Sequence, residues 1–274
     1  MTFSEILPSS STVQRFSRVF FSRGLVVFGV IVILIFIMTA IFAPVIAPYS
    51  PYKQDLKQSL LKPCKAHLLG TDVHGRDILS RIIFGTRTSL MIGVVAIFIA
   101  AFVGMSLGLI AGYFGGLRQV IIMRVIDALM AFPMIILALV VAAVLGGGLK
   151  NVMAALAVGL LPAYTRVMCG QVISIKENDY VTAGRAIGAS DKRIMLRHIV
   201  PNCFPPLIVL ITMMMGMTIL VEAGLSFLGI GIEPPIAAWG SMVSEGYIMI
   251  VVFAFNMVGD GLRDALDPRL KGII

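Results

Sequence analysis

The chain alternates between long apolar runs and short polar stretches, and the lengths of the runs predict its elements. Residues 25–46, 90–113, 123–145 and 207–228 are apolar almost throughout. Each is long enough to cross a hydrocarbon core of about 30 Å, which takes about 20 helical residues. A fifth run, 152–169, is shorter and contains Pro162, which a membrane helix tolerates with local distortion. A sixth, residues 247–258, offers only 12 residues, too few to cross unaided. The pattern predicts an all-α, polytopic membrane helical bundle of about six transmembrane helices, the last abnormally short. The first run is too long for a signal peptide and lacks a small-x-small cleavage site, so it is expected to be retained.

Composition agrees with the pattern. The 274 residues are 58% hydrophobic and 13% charged, with a mean hydropathy of +0.98; a soluble domain of this size needs more charge to cover its surface. The net charge of +8 does not point to nucleic acid, because the cations flank apolar runs instead of forming one stripe. They fit a lipid bilayer with the N-terminus in the cytoplasm, which places 14 of the 22 Lys and Arg inside. The expected organisation is then a cytoplasmic segment over residues 1–24, a first transmembrane helix over 25–46 and an external loop over 47–89. A membrane core follows over 90–258, with a cytoplasmic loop at 170–203, and a cytoplasmic tail over 259–274. Cys64 lies in the external loop, and Cys169 and Cys203 read as small apolar residues.

The longest polar island inside the membrane core is DYVTAGRAIGASDKRIMLRHIVPN, residues 179–202. It carries two small-residue clusters and the cations Arg185, Lys192, Arg193 and Arg197, and it is closed by Pro201. Between two membrane spans such a segment lies in water, and its composition suits a surface that grips a partner. In the external loop, LGTDVHGRDILSRIIFGTRTSL places Leu79, Ile82, Ile83 and Thr86 at helical spacing opposite Arg76, Asp77, Ser80, Arg81 and Arg87, an amphipathic helix at the membrane interface. Asp72 and His74 are two oxygen and nitrogen donors at a spacing weak for a metal; helix capping and surface charge explain them better.

Within the runs, Gly104, Gly108 and Gly112 form a repeated small-xxx-small stripe that lets helix backbones approach closely. Ionisable residues in apolar runs are costly and need a reason. Asp127 is expected to pair with Arg124 or with a neighbouring helix. Glu222 either lines a path through the bundle or reaches its interface. Of the methionine cluster in residues 213–217, Met213 and Met217 are four apart and share a face, a flexible surface for varied cargo. No catalytic, cofactor or metal residues are assigned. No GxxxxGK[ST] or HExxH sequence occurs, so the energy for any transport must come from another subunit.

Four stretches resemble the permeases of bacterial ATP-binding-cassette importers, in the form of the dipeptide/oligopeptide/nickel subfamily. They are GTDxxGRDxxSR in the external loop, the island 180–201, EAGLSFLGIG at 222–231, and GDGLRDALDPRL at 259–270. The resemblance implies the type I importer permease fold in the bacterial cytoplasmic membrane, with ATP bound by partner subunits. It also implies a homologous permease subunit as partner, two ATPase subunits, an extracytoplasmic solute-binding protein, and alternating access as the mechanism. The island becomes a coupling helix that docks on the ATPase through Thr182, Ala183, Gly184, Arg185, Gly188, Ala189, Ser190 and Arg193, while Met213, Met217 and Glu222 flank the translocation path. The family's Glu-Ala-Ala triplet is here Thr182-Ala183-Gly184, which removes an acid from the docking surface. The expected cargo is di- or oligopeptides. Nickel or another small solute is the alternative cargo, and the short sixth run leaves a transport-inactive subunit as a further alternative.

Overall fold

The computed structural model describes residues 24–232, 235–240 and 242, so the sixth apolar run and the C-terminal tail lie outside the described residues. Helix α1 spans Gly24–Ile46. After a loop with one 3₁₀ turn at Leu56–Gln58, α2 runs over Ile78–Phe114, followed by α3, Gly116–Met130, and α4, Met134–Leu145. Helix α5 spans Leu149–Lys176. The island then forms α6, Asp179–Ala186, and a single turn α7, Asp191–Ile194. A π-helical stretch, Met195–Ile199, leads into α8, Val200–Phe227.

Four of these segments are long and apolar enough to cross a membrane, and the bent pair α3–α4 makes a fifth if counted as one span. Two differ from the sequence expectation. The amphipathic stretch after Asp77 is no separate interfacial helix: it continues into the second span as one 37-residue helix. At 1.5 Å per residue that helix is about 55 Å long, well beyond the bilayer core. Nothing from Arg87 to Leu90 breaks a helix, whereas Asp77 starts one, its carboxylate accepting the Ser80 backbone N–H. The run at 123–145, expected to be one span, is bent by 92°. Pro133 sits there in extended backbone; it has no N–H and disfavours helical geometry at Phe132. By contrast α5 passes through Pro162 unbroken.

The glycine stripe sets the central contact. Gly104, Gly108 and Gly112 lie along α5, and a Cβ on Gly108 would sit 2.5 Å from the Thr165 carbonyl oxygen and 2.7 Å from Met168 Cβ. Around this contact the core divides by depth. Ile97, Ala101, Leu160, Tyr164, Met215 and Ile219 fill the middle, and Tyr113, Met168, Val172, Val181, Ile194 and Ile199 fill the end carrying the island.

At the opposite end Trp239 closes the bundle. Its backbone N–H donates to Ser89 Oγ at 3.2 Å and its Nε1 to the Ile82 carbonyl at 3.2 Å, and its ring meets Phe36 edge-on at 5.3 Å. The loop before α2 is pinned alongside. His67 bridges Asp77 Oδ1 and Gln58 Oε1, each at 2.9 Å, and Asp72 accepts from Arg76 Nε at 2.6 Å. Burial works against the charge on Asp72, but bonds from the Arg76 backbone, the Arg76 side chain and the His74 backbone outweigh it and hold the carboxyl below its ordinary value.

Candidate functional site

The island folds as two helical pieces joined by a tight turn, and the residue order explains the turn. Helix α6 ends with Ala189 N–H bonded to the Gly184 carbonyl and Gly188 N–H to the Arg185 carbonyl, each at 3.0 Å. These are the two bonds of a Schellman motif, which requires left-handed backbone at the residue after the cap. Gly188 supplies it, with φ +80°. Ser190 then caps α7, its Oγ accepting the Arg193 N–H. Gly188, Ala189 and Ser190 therefore form one stop-and-restart signal.

The predicted docking residues divide between the two faces of this unit. Thr182, Ala183, Arg185, Gly188, Ser190 and Arg193 are exposed, Ala189 is half-buried and Gly184 is buried. Val181 and Ile194 anchor the inner face in the core beneath. Among the described residues, the most exposed large hydrophobic side chain is Ile187, at 86%. It was not among the predicted contacts: an isolated Ile in a polar segment reads as core until the turn shows it pointing outward. An apolar side chain held on a rigid turn, in a segment that also exposes Arg185, Lys192 and Arg193, is a surface suited to an apolar groove with an acidic or carbonyl-rich rim.

A second set of residues, also absent from the sequence expectation, ties the unit to the bundle. The Tyr113 hydroxyl, in the last turn of α2, donates to Asp191 Oδ1 at 2.5 Å. The Arg185 guanidinium carbon lies 5.5 Å from the Tyr113 ring centroid, and Lys176 Nζ donates to the Gly112 carbonyl at 3.1 Å. The only sequence signal for this was an aromatic residue with a polar tip at a helix end, in Gly112-Tyr113-Phe114-Gly115.

The three residues expected along a path do not share one surface. Met217 is 43% exposed and Met213 half-buried one turn away. Glu222 is fully buried within this chain. Its Oε1 accepts from Ser226 Oγ at 2.9 Å, and the Gly240 backbone packs over it, where a Cβ would come within 2.9 Å of Oε1. Glu222 thus neither lines an open face nor reaches the interface; it sits under the Trp239 segment. Asp127 pairs across helices with Arg166 at 2.5 Å, and not with Arg124.

Residues 104–272 match the family described as the binding-protein-dependent transport system inner membrane component, and residues 11–63 match the N-terminal transmembrane domain of oligopeptide transport permease C. The chain belongs to this permease family. The first match runs on past the short sixth apolar run to residue 272. A glutathione transport system permease protein of Pectobacterium atrosepticum is 39% identical over 94% of this chain and 91% of its own. A dipeptide transport system permease protein of Haemophilus influenzae is 43% identical over 91% and 92%, and a putative peptide transport system permease protein of Brucella suis is 41% identical over 89% and 87%. Among solved structures, the MetNI methionine ABC transporter in inward-facing conformations superposes with a TM-score of 0.55 at 18% identity, over 68% of this chain and 96% of that one. That likeness establishes the ABC importer permease fold. The permease is accordingly a multi-pass inner-membrane component of a transporter, distinct from the subunit that hydrolyses ATP.

Proposed function

We propose that this permease forms half of the translocation pore of an ATP-driven importer of di- and oligopeptides, and that residues 179–199 dock on a separate ATPase subunit. The observation that carries the docking reading is Ile187, presented to solvent by a Schellman turn in a segment with exposed cations. The cargo reading is supported by relatives named for dipeptides, peptides and glutathione. A homologous permease completes the pore, two ATPase subunits power it, and an extracytoplasmic binding protein delivers cargo to the end closed by Trp239. The N-terminus lies in the cytoplasm. Met213 and Met217 face the path, where flexible thioethers adapt to varied side chains.

Uptake of a labelled dipeptide, with nickel ion in parallel, is measured in cells with and without the chain. Chain-dependent dipeptide uptake is the expected result. Nickel uptake alone would replace the cargo, and dependence of neither would make the subunit transport-inactive. Ile187→Asp is expected to abolish co-purification of the ATPase subunits while the membrane bundle still folds; undiminished co-purification would remove the docking reading.

A further inference from the structure

Docking alone transmits no motion; the docking unit must also be held rigidly to the helices that form the pore. Two of its attachments, and one from the adjoining end of α5, converge on the last turn of α2. Lys176, at the end of α5, holds the Gly112 carbonyl. Arg185, on α6, lies over the Tyr113 ring within cation–π range. Asp191, on α7, accepts the Tyr113 hydroxyl across 78 residues of chain. Beneath them Tyr113 packs with Met168, Val172, Val181 and Ile194, so the same side chain belongs to the apolar core and to the polar contact. A hydrogen bond to a carboxylate is stronger than one between neutral groups, and it is directional. It fixes the rotation of α7 about the bundle in a way apolar packing does not.

From this we infer that Tyr113 is a positioning residue for coupling: through Asp191 and Arg185 it locks the 179–199 unit to α2, so that movement of the docked surface reaches the pore. The inference rests on the docking reading above. Without the Tyr113–Asp191 bond the unit still binds the ATPases through its exposed face, but it turns on its apolar anchor and the stroke is lost.

The test uses the complete transporter in proteoliposomes with its binding protein, reading ATP hydrolysed per labelled dipeptide imported. Tyr113→Phe keeps the ring and its packing. It is expected to raise that ratio by at least about fivefold, consistent with losing one charge-assisted hydrogen bond, with the ATPase subunits still bound. Asp191→Ala should do the same, and the double variant should be no worse than either single, because one bond is lost in all three. Asp191→Asn retains an acceptor oxygen without the charge and is expected to give a ratio between wild type and Asp191→Ala. A merely structural role would lower hydrolysis and uptake together and leave the ratio unchanged. An unchanged ratio in Tyr113→Phe, or additive effects in the double variant, would overturn the inference. If Ile187→Asp releases the ATPases while Tyr113→Phe remains coupled, the role of Tyr113 alone falls. If Ile187→Asp releases nothing, docking fails and this inference with it.

Discussion

Two glycines, four residues apart, make opposite predictions because their surroundings differ. Gly188 is in left-handed backbone, with nothing within 4 Å of the position a Cβ would take; only conformation opposes a side chain there. Gly188→Val should therefore cost about 1–2 kcal/mol, loosen the turn and reduce uptake relative to ATP hydrolysis. Gly188→Asn, which tolerates that backbone, should lose far less. Equal uptake from the two variants would show that the turn geometry is not what matters. Gly184 lies in ordinary helical backbone, also with nothing within 4 Å of its Cβ position. Gly184→Ala should stabilise α6 by about 0.5–1 kcal/mol, seen as a higher thermal midpoint of the purified subunit. The sequence placed both residues in the docking segment, but only backbone angles distinguish a glycine that is required from one that is merely present.

At the scale of elements, the stripe of Gly104, Gly108 and Gly112 was legible because a four-residue repeat of small residues has few other uses in an apolar helix. Its partner was not: the sequence does not say that Tyr164, Thr165, Met168, Cys169 and Val172 of α5 lie against it. The approach is to backbone, which cannot recede as a side chain can. Gly108→Leu is therefore expected to destabilise the bundle by about 3 kcal/mol, measurable as loss of monodisperse protein in detergent. A wild-type elution profile would refute the packing argument. The length of α2 and the bend at Pro133 escaped a reading by apolar runs for one reason. Hydropathy counts residues in lipid, and a helix begins and ends by its caps and prolines. Asp77 and Pro133 were visible as residues, but not which of them would outrank the apolar pattern. Likewise Trp239, a lone aromatic in a glycine-rich segment, gave no sign that it would close the bundle against Ser89 and Phe36. The capped loop before α2 carries its own pH signature. Asp72, outside the membrane, has its carboxyl held below the ordinary value of 3.8. Its contribution is thus fully present above that value and is lost as pH falls through the lowered one. The thermal stability of wild type relative to Asp72→Asn should be constant from neutral pH to about 5 and should narrow only below about 4. A difference that vanished near neutrality would instead point to another titrating group.

For the molecule as a whole, the decisive quantity is orientation, since the same bundle inverted would present its cationic turn to the wrong compartment. Charge counting is weakened by the basic external loop, which holds seven of the eight Lys and Arg assigned outside. The three cysteines offer a direct measurement. Cys64 is exposed in the loop before α2, while Cys169 and Cys203 are buried in the helices. A membrane-impermeant maleimide added to intact spheroplasts should therefore label the wild-type chain at one site, and Cys64→Ser should abolish the labelling. Ile187→Cys, introduced into the Cys64→Ser background, should react only after the membrane is opened, because Ile187 is exposed on the end of the bundle opposite Trp239. Labelling of Ile187→Cys in intact spheroplasts, with Cys64 silent, would invert the topology. No ATPase could then reach the turn, and the docking face, the Tyr113 attachment and the direction of transport would all have to be reassigned together.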